Sequence, residues 1–222
     1  MIHTLPLLPY PVAALEPHID ARAIALHHAG HHAEYVAQLN AAIEHFPELH
    51  KRSAAWLLLN LNKVPEETRA AVRHSAGGHV NHSLLWRAMA PQAAGAPSGR
   101  LAEAIQRDFG GFEQFKTRFE EAAGEVPGCG WLWLARAQQN GGRLRVFATP
   151  VNGNPMLQGH FPILVNDAWE HAYYFKHENR RADYLKQWWS VANWPEAARR
   201  FDLSGHAAPN RWVAEGELLL DG

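Results

Sequence analysis

The stretch 91–99, Pro-Gln-Ala-Ala-Gly-Ala-Pro-Ser-Gly, constrains this chain more than any other feature. Pro, Ala and Gly break both helix and strand there, and apolar residues recur with different periods on its two sides. Before it the pattern is helical. Asp20 is placed to cap a helix running toward Phe46, with Ile24, Val36, Leu39 and Ile43 as its apolar positions and Pro47 as its stop. A second helical region covers 52–89, interrupted near Pro65. It carries Gly77-Gly78 inside, a pair that lowers helix propensity by roughly 1 kcal/mol each and so points to a close backbone approach.

After the break, Ser98 is expected to cap a helix to Phe109, Gly110-Gly111 to end it, and a further helix to cover 112–123. The period then changes. Three strands are predicted, at 131–135, 143–149 and 161–165, with Asn140-Gly141 as a turn between the first two. Helical pattern returns over 183–191 and again after Asn193. The fold class is therefore α+β. The expected organisation is an N-terminal helical hairpin domain at 1–91, a C-terminal domain at 97–203 holding a three-stranded antiparallel sheet with flanking helices, and a polar extension at 204–222.

Composition narrows the function classes. With 21 Lys and Arg against 22 Asp and Glu, the net charge is -1, which argues against a nucleic acid or an anionic membrane as the main partner. The single cysteine excludes an intrachain disulfide. No apolar run approaches a membrane span and the N-terminal residues lack a signal-peptide pattern, so a cytoplasmic location is expected. Fifteen histidines and nine tryptophans are unusual in 222 residues and suggest a metal or proton-transfer site.

Three segments concentrate that chemistry. His27, His31 and Tyr35 recur at i, i+4 and i+8 on one helical face, with His28 and His32 on a neighbouring stripe. His79 and His82 are spaced i, i+3 and followed by Trp86. Asp167 and His171 follow the third predicted strand and converge if the chain turns between them. Several imidazoles and one carboxylate, without thiolates, suit Fe, Mn or Zn and argue against structural zinc.

In combination, Leu8-Pro-Tyr-Pro11, His27-His-Ala-Gly-His-His32 with Tyr35, Gly77-Gly-His-Val-Asn-His82-Ser-Leu-Leu-Trp86 and Asp167-Ala-Trp-Glu-His-Ala-Tyr-Tyr174 resemble the iron/manganese superoxide dismutases, in order from about Leu5 to Phe201. The resemblance implies one Fe or Mn ion per subunit, held by His27, His82, Asp167 and His171 with a solvent molecule as fifth ligand. It implies superoxide as substrate, converted to oxygen and hydrogen peroxide. His31 and Tyr35 match the family's channel pair, and Trp86, Trp131 and Trp169 its aromatic shell. It further implies a homodimer, with tetramers left open, whose interface includes Glu170, reaching the partner's ligand histidine, and Tyr174.

The sequence departs from the family in two places. The family commonly has a lysine before its second His pair, where Gly30 stands here; Arg180 and Arg181 are the alternative candidates for attracting an anion. The family also sets a Gln amide against the metal's solvent. Its iron-type position is Gly78 here, and Asn152 is the nearest match to its manganese-type position, with Gln158 and His160 as alternatives. The shorter Asn amide is expected to bond the solvent less tightly, which favours activity with iron, alone or alongside manganese.

Overall fold

The computed structural model describes residues 3–205; the expected extension lies outside the described residues from 206 onward. Helix α1 (Ala21–Leu26) starts where Asp20 accepts a hydrogen bond from the Ala23 N–H at 2.9 Å. It continues through a π-helical turn, His27–His32, into α2 (Ala33–Ile43). Ile24, Val36, Leu39 and Ile43 are all buried, as their spacing requires. After α3 (Ala54–Leu59), helix α4 (Glu66–Ala88) returns against α2 to close the hairpin. Along α4, Val72, Ala76, Val80 and Leu84 repeat every four residues as one buried stripe.

The second half contains α5 (Gly99–Phe109) and α6 (Phe112–Glu121). Strands β1 (Gly130–Ala137), β2 (Leu144–Pro150) and β3 (His160–Asp167) follow, and then α7 (Tyr174–His177), α8 (Arg181–Trp188) and α9 (Trp194–Leu203). The sheet is antiparallel throughout, in the order β2-β1-β3. Its register pairs Trp131 with both Thr149 and Asp167 at one end and Ala137 with His160 at the other. Gly110 ends α5 in a left-handed conformation at φ 87°. Ser98 precedes α5 without a side-chain cap, and Gly99 follows it with a left-handed φ of 57°. Trp188, Trp189 and Trp194 pack with Phe115 and Phe119 between α6, α8 and α9, so part of the tryptophan excess serves this core.

Two features bring the halves together. The Asn193 N–H donates to the Ala88 carbonyl and the Ala90 N–H to the Val191 carbonyl, each at 2.8 Å, so the end of α4 is tied to the entry of α9. Helix α4 also packs on β3, whose last residue is Asp167. Among the described residues, no helix is long and apolar enough to cross a membrane.

Candidate metal centre

Four donor atoms, one each from His27, His82, Asp167 and His171, lie within 4.8 Å of one another. Each arrives by a different local device. Asp167 ends β3, and its Oδ1 accepts the Trp169 N–H at 2.8 Å. That contact starts the turn Glu170–Ala172, which brings His171 Nε2 to 3.2 Å from Asp167 Oδ2. His82 sits on α4 with Nδ1 2.7 Å from the Gly78 carbonyl. A carbonyl only accepts, so Nδ1 carries the proton and Nε2 keeps a free lone pair. His27 Nε2 lies 3.1 Å from Asp167 Oδ2, yet its N–H direction misses the oxygen.

The Nε2 atoms of His27 and His82 are thus buried without hydrogen-bond partners. Buried polar atoms are costly unless something satisfies them. Two ligands held about 2.1 Å from one ion at angles of 90–120° lie roughly 3–3.6 Å apart, which matches the His27–Asp167 and His171–Asp167 separations. The set therefore fits one cation. Electrostatics agree. Burial alone would raise the Asp167 pKa, but the facing imidazoles, His171 foremost, hold it well below the usual carboxylate range. Burial lowers His27 to about 4 and His82 well below its ordinary value, so both imidazoles stay neutral and able to donate.

Around the donors, Trp86 lies edge-on to His27 with ring centres 4.9 Å apart, Trp131 meets His82 at 4.9 Å, and Trp169 meets His171 at 5.5 Å. Trp86 and Trp131 are fully buried. His31 stacks on His171 at 4.0 Å. It lines an open cavity of about 530 Å³ with Leu26, Gly30, Glu34, Tyr174 and Phe175. Tyr35 lies deeper, its ring 5.3 Å from that of His82 and pressed on Gly78, where an added Cβ would come within 2.5 Å of the phenol ring. Gly77 has no room for a Cβ either, because the Asn152 carbonyl occupies the space. The glycine pair thus serves two close approaches.

Asn152 is buried beside Tyr35. Burial raises the Tyr35 pKa, and a hydrogen bond with Asn152 opposes that shift. The Asn152 Nδ2 also donates to the His74 carbonyl at 3.1 Å. Of the alternatives, His160 opens β3, about 23 Å along the strand from Asp167, against Phe147, and Gln158 lies in the turn before it. Arg181 donates to the Ala123 and Val126 carbonyls, and Arg180 pairs with Glu178 and Asp183, so both are committed to local structure. Arg22 stands near the mouth, 4.7 Å above the ring of Phe175, which lines it.

His32, on a neighbouring stripe in the sequence pattern, has a role that the pattern does not announce. On an α-helix it would sit about 140° from His27; a π turn of roughly 4.4 residues reduces that to about 50°. His32 is fully buried, stacked on His82 with ring centres 5.3 Å apart. The Trp86 Nε1–H donates to His32 Nδ1 at 3.0 Å, so His32 Nε2 carries the proton it donates to His79 Nδ1 at 2.7 Å. The His79 of the motif therefore points inward as well, supporting His32.

Comparison with known proteins fits this arrangement. The alpha-hairpin domain of the iron/manganese superoxide dismutases matches residues 2–90, and the C-terminal domain of the same family matches 97–200. A protein of Leptolyngbya boryana named superoxide dismutase [Mn] 3 is 47% identical over 200 residues, covering 90% of this chain and 83% of the relative. The superoxide dismutase [Mn] of Listeria monocytogenes is 45% identical over 204 residues, 92% of this chain and 100% of the relative. That of Thermus thermophilus is 47% identical over 197 residues, 89% and 96%.

Proposed function

The chain belongs to the iron/manganese superoxide dismutases, and on that premise we propose that His27, His82, Asp167 and His171 hold its single Fe or Mn ion. It is an oxidoreductase that converts superoxide to oxygen and hydrogen peroxide. The observation that carries the ligand assignment is the convergence of four buried or half-buried donors, two of them without any other partner.

An ion held there supplies a one-electron couple, which lets one superoxide give up an electron and a second accept it with two protons. The residues around it do the rest. His82 keeps its donor lone pair aimed inward because the Gly78 carbonyl accepts from its Nδ1–H. Trp86 and Trp131 exclude water, which strengthens every hydrogen bond near the centre. His31 lines the open cavity together with the donors His27 and His171, and Tyr35 lies against His82, so the two flank the approach of an anion and of the protons it needs.

The relatives are named for manganese. Asn152 stands where the family's Gln is expected, and its amide also serves the His74 carbonyl. A shorter, shared donor gives this site less grip on the solvent position that discriminates the two metals. Iron therefore supports turnover here, and manganese does too. The chain works as a homodimer in the cytoplasm. Supporting the dimer, Leu26, Tyr174 and Phe175 are 50%, 56% and 48% exposed around the mouth, beside the exposed Glu170.

The test is metal depletion followed by loading with Fe or Mn separately, with metal content and superoxide consumption measured on each sample. One ion per subunit and activity in both forms are expected. A fully loaded but inactive Fe form would remove iron from the reading. Inactivity of both loaded forms would overturn the assignment of the site. Sedimentation at micromolar concentration should give twice the chain mass.

A further inference from the structure

Val151 has φ 52°, in the left-handed region. A β-branched residue is a marked exception there, because Cβ crowds the following carbonyl. Packing does not impose this conformation, since the side chain is 44% exposed. Val151 is the second residue of a turn closed by the Gly153 N–H, which donates to the Pro150 carbonyl at 3.0 Å, and what holds that turn in place lies on either side. Asn81 and Asn154 are almost fully buried, at 0% and 1%, and Asn154 Nδ2 donates to Asn81 Oδ1 at 2.7 Å. Asn81 Nδ2 donates in turn to the Gly153 carbonyl at 3.1 Å, and Asn154 Oδ1 accepts the Met156 N–H at 2.9 Å. Thr149 Oγ1 donates to the same Gly153 carbonyl at 2.8 Å and accepts from Trp133 Nε1 at 2.8 Å. The segment 149–155 is therefore fastened to α4 and to β1 by side chains that spend most of their hydrogen-bonding capacity on it. The residue delivered by this arrangement is Asn152, with its carbonyl against Gly77 and its amide beside Tyr35.

We propose that Asn81 and Asn154 are positioning residues that force Val151 into its strained conformation and thereby hold Asn152 in the channel. Local strain persists only where the surroundings over-determine it, and it clusters at functional sites. The inference rests on the reading of Asn152 as the residue facing the metal's solvent position, and it adds the device that keeps it there.

Four Mn-loaded proteins test it: wild type, Val151→Asn, Asn81→Ala and the double variant. Asparagine adopts left-handed backbone with little strain, so Val151→Asn should raise the wild-type Tm by about 2–4 °C. Without Asn81 the segment relaxes and residue 151 leaves the left-handed region, so the same substitution should raise the Asn81→Ala Tm by less than half as much. Asn81→Ala should also shift the visible absorption of the bound metal. The double variant should recover at least half of that shift, because with Val151→Asn the chain accepts the left-handed turn unforced. Equal Tm changes in both backgrounds, or a fall in Tm from Val151→Asn, would overturn the proposal. Should Asn81→Ala fail to fold, Asn154→Asp takes its place in the cycle: it keeps the acceptor for Met156 and loses the donor to Asn81. Asn152→Ala separates the two readings. An unchanged spectrum in that variant, with a non-additive Tm cycle, would support the clamp and defeat the role given to Asn152.

Discussion

Asp167 shows how much one side chain is asked to do. Its Oδ2 faces the Nε2 atoms of His27 and His171 at 3.1 and 3.2 Å, while Oδ1 starts the turn that delivers His171. The carboxylate is wholly buried, and the neighbouring imidazoles keep it ionised. Asp167→Ala removes the only anionic donor of the four and the anchor of that turn. Metal content of the purified variant should fall at least tenfold relative to wild type, measured by elemental analysis after dialysis. Full occupancy would show that Asp167 is no ligand. The glycines act at the same scale by absence: Gly78 has no side chain where the Tyr35 ring must lie.

At the scale of elements, the site depends on helix α4 meeting the α1–α2 hairpin arm at van der Waals distance. The π turn between α1 and α2 rotates His32 inward, and Gly77-Gly78 lets Tyr35 and the 149–155 segment press on the α4 backbone. Gly78→Ala would place a methyl group 2.5 Å from the Tyr35 ring, so α2 must shift outward or Tyr35 must swing from the channel. Gain of helix propensity, about 1 kcal/mol for Gly to Ala, opposes the overlap, whose cost is about 1–3 kcal/mol. The Tm should nevertheless fall, and superoxide consumption per bound metal should drop severalfold. A variant with raised Tm and unchanged turnover would mean that Tyr35 does not need this contact.

At the scale of the molecule, a net charge of -1 gives a superoxide anion no general attraction, so local charge decides. Glu34 lines the mouth, and Arg22 stands over Phe175, which lines it too. Glu34→Gln should raise kcat/KM at low ionic strength by up to about threefold and Arg22→Gln should lower it similarly, with both differences vanishing as salt rises. Salt-independent effects would exclude steering. Stability has its own pH signature. Burial, with His3 beside it, lowers His79 from an ordinary 6.5 to about 4. Between those values the unfolded chain holds a proton that the folded chain refuses. The contribution of His79 to stability is therefore complete above pH 6.5 and declines as the pH falls toward 4, by up to about 1.4 kcal/mol per pH unit. His79→Gln keeps an acceptor for His32 and has nothing to protonate. Denaturant unfolding at pH 4.5, 5.5 and 7 should show a shallower decline in the variant; identical declines would rule His79 out. Contributions from the four donors at the centre are common to both proteins and cancel.

The main helices and strands in their order, the buried stripe of the first helix and the three motifs that carry the donors are legible in the sequence. These follow from local rules: period, capping and chain-breaking residues act within a few positions of one another. It also showed that Gly77-Gly78 demanded a close approach, though not by what. The partners are set by long-range packing. Tyr35 and the Asn152 carbonyl come from segments far along the chain in either direction, and nothing in a helical repeat announces them. The π turn was equally hidden, because its register differs from an α-helix by one residue and is imposed by what His27, His31 and His32 pack against. The buried imidazole of His32, the inward turn of His79 and the Asn81–Asn154 pair are products of that packing. A polar side chain reads as solvent-facing until its partner is placed, and in a folded chain the partner is supplied from far away.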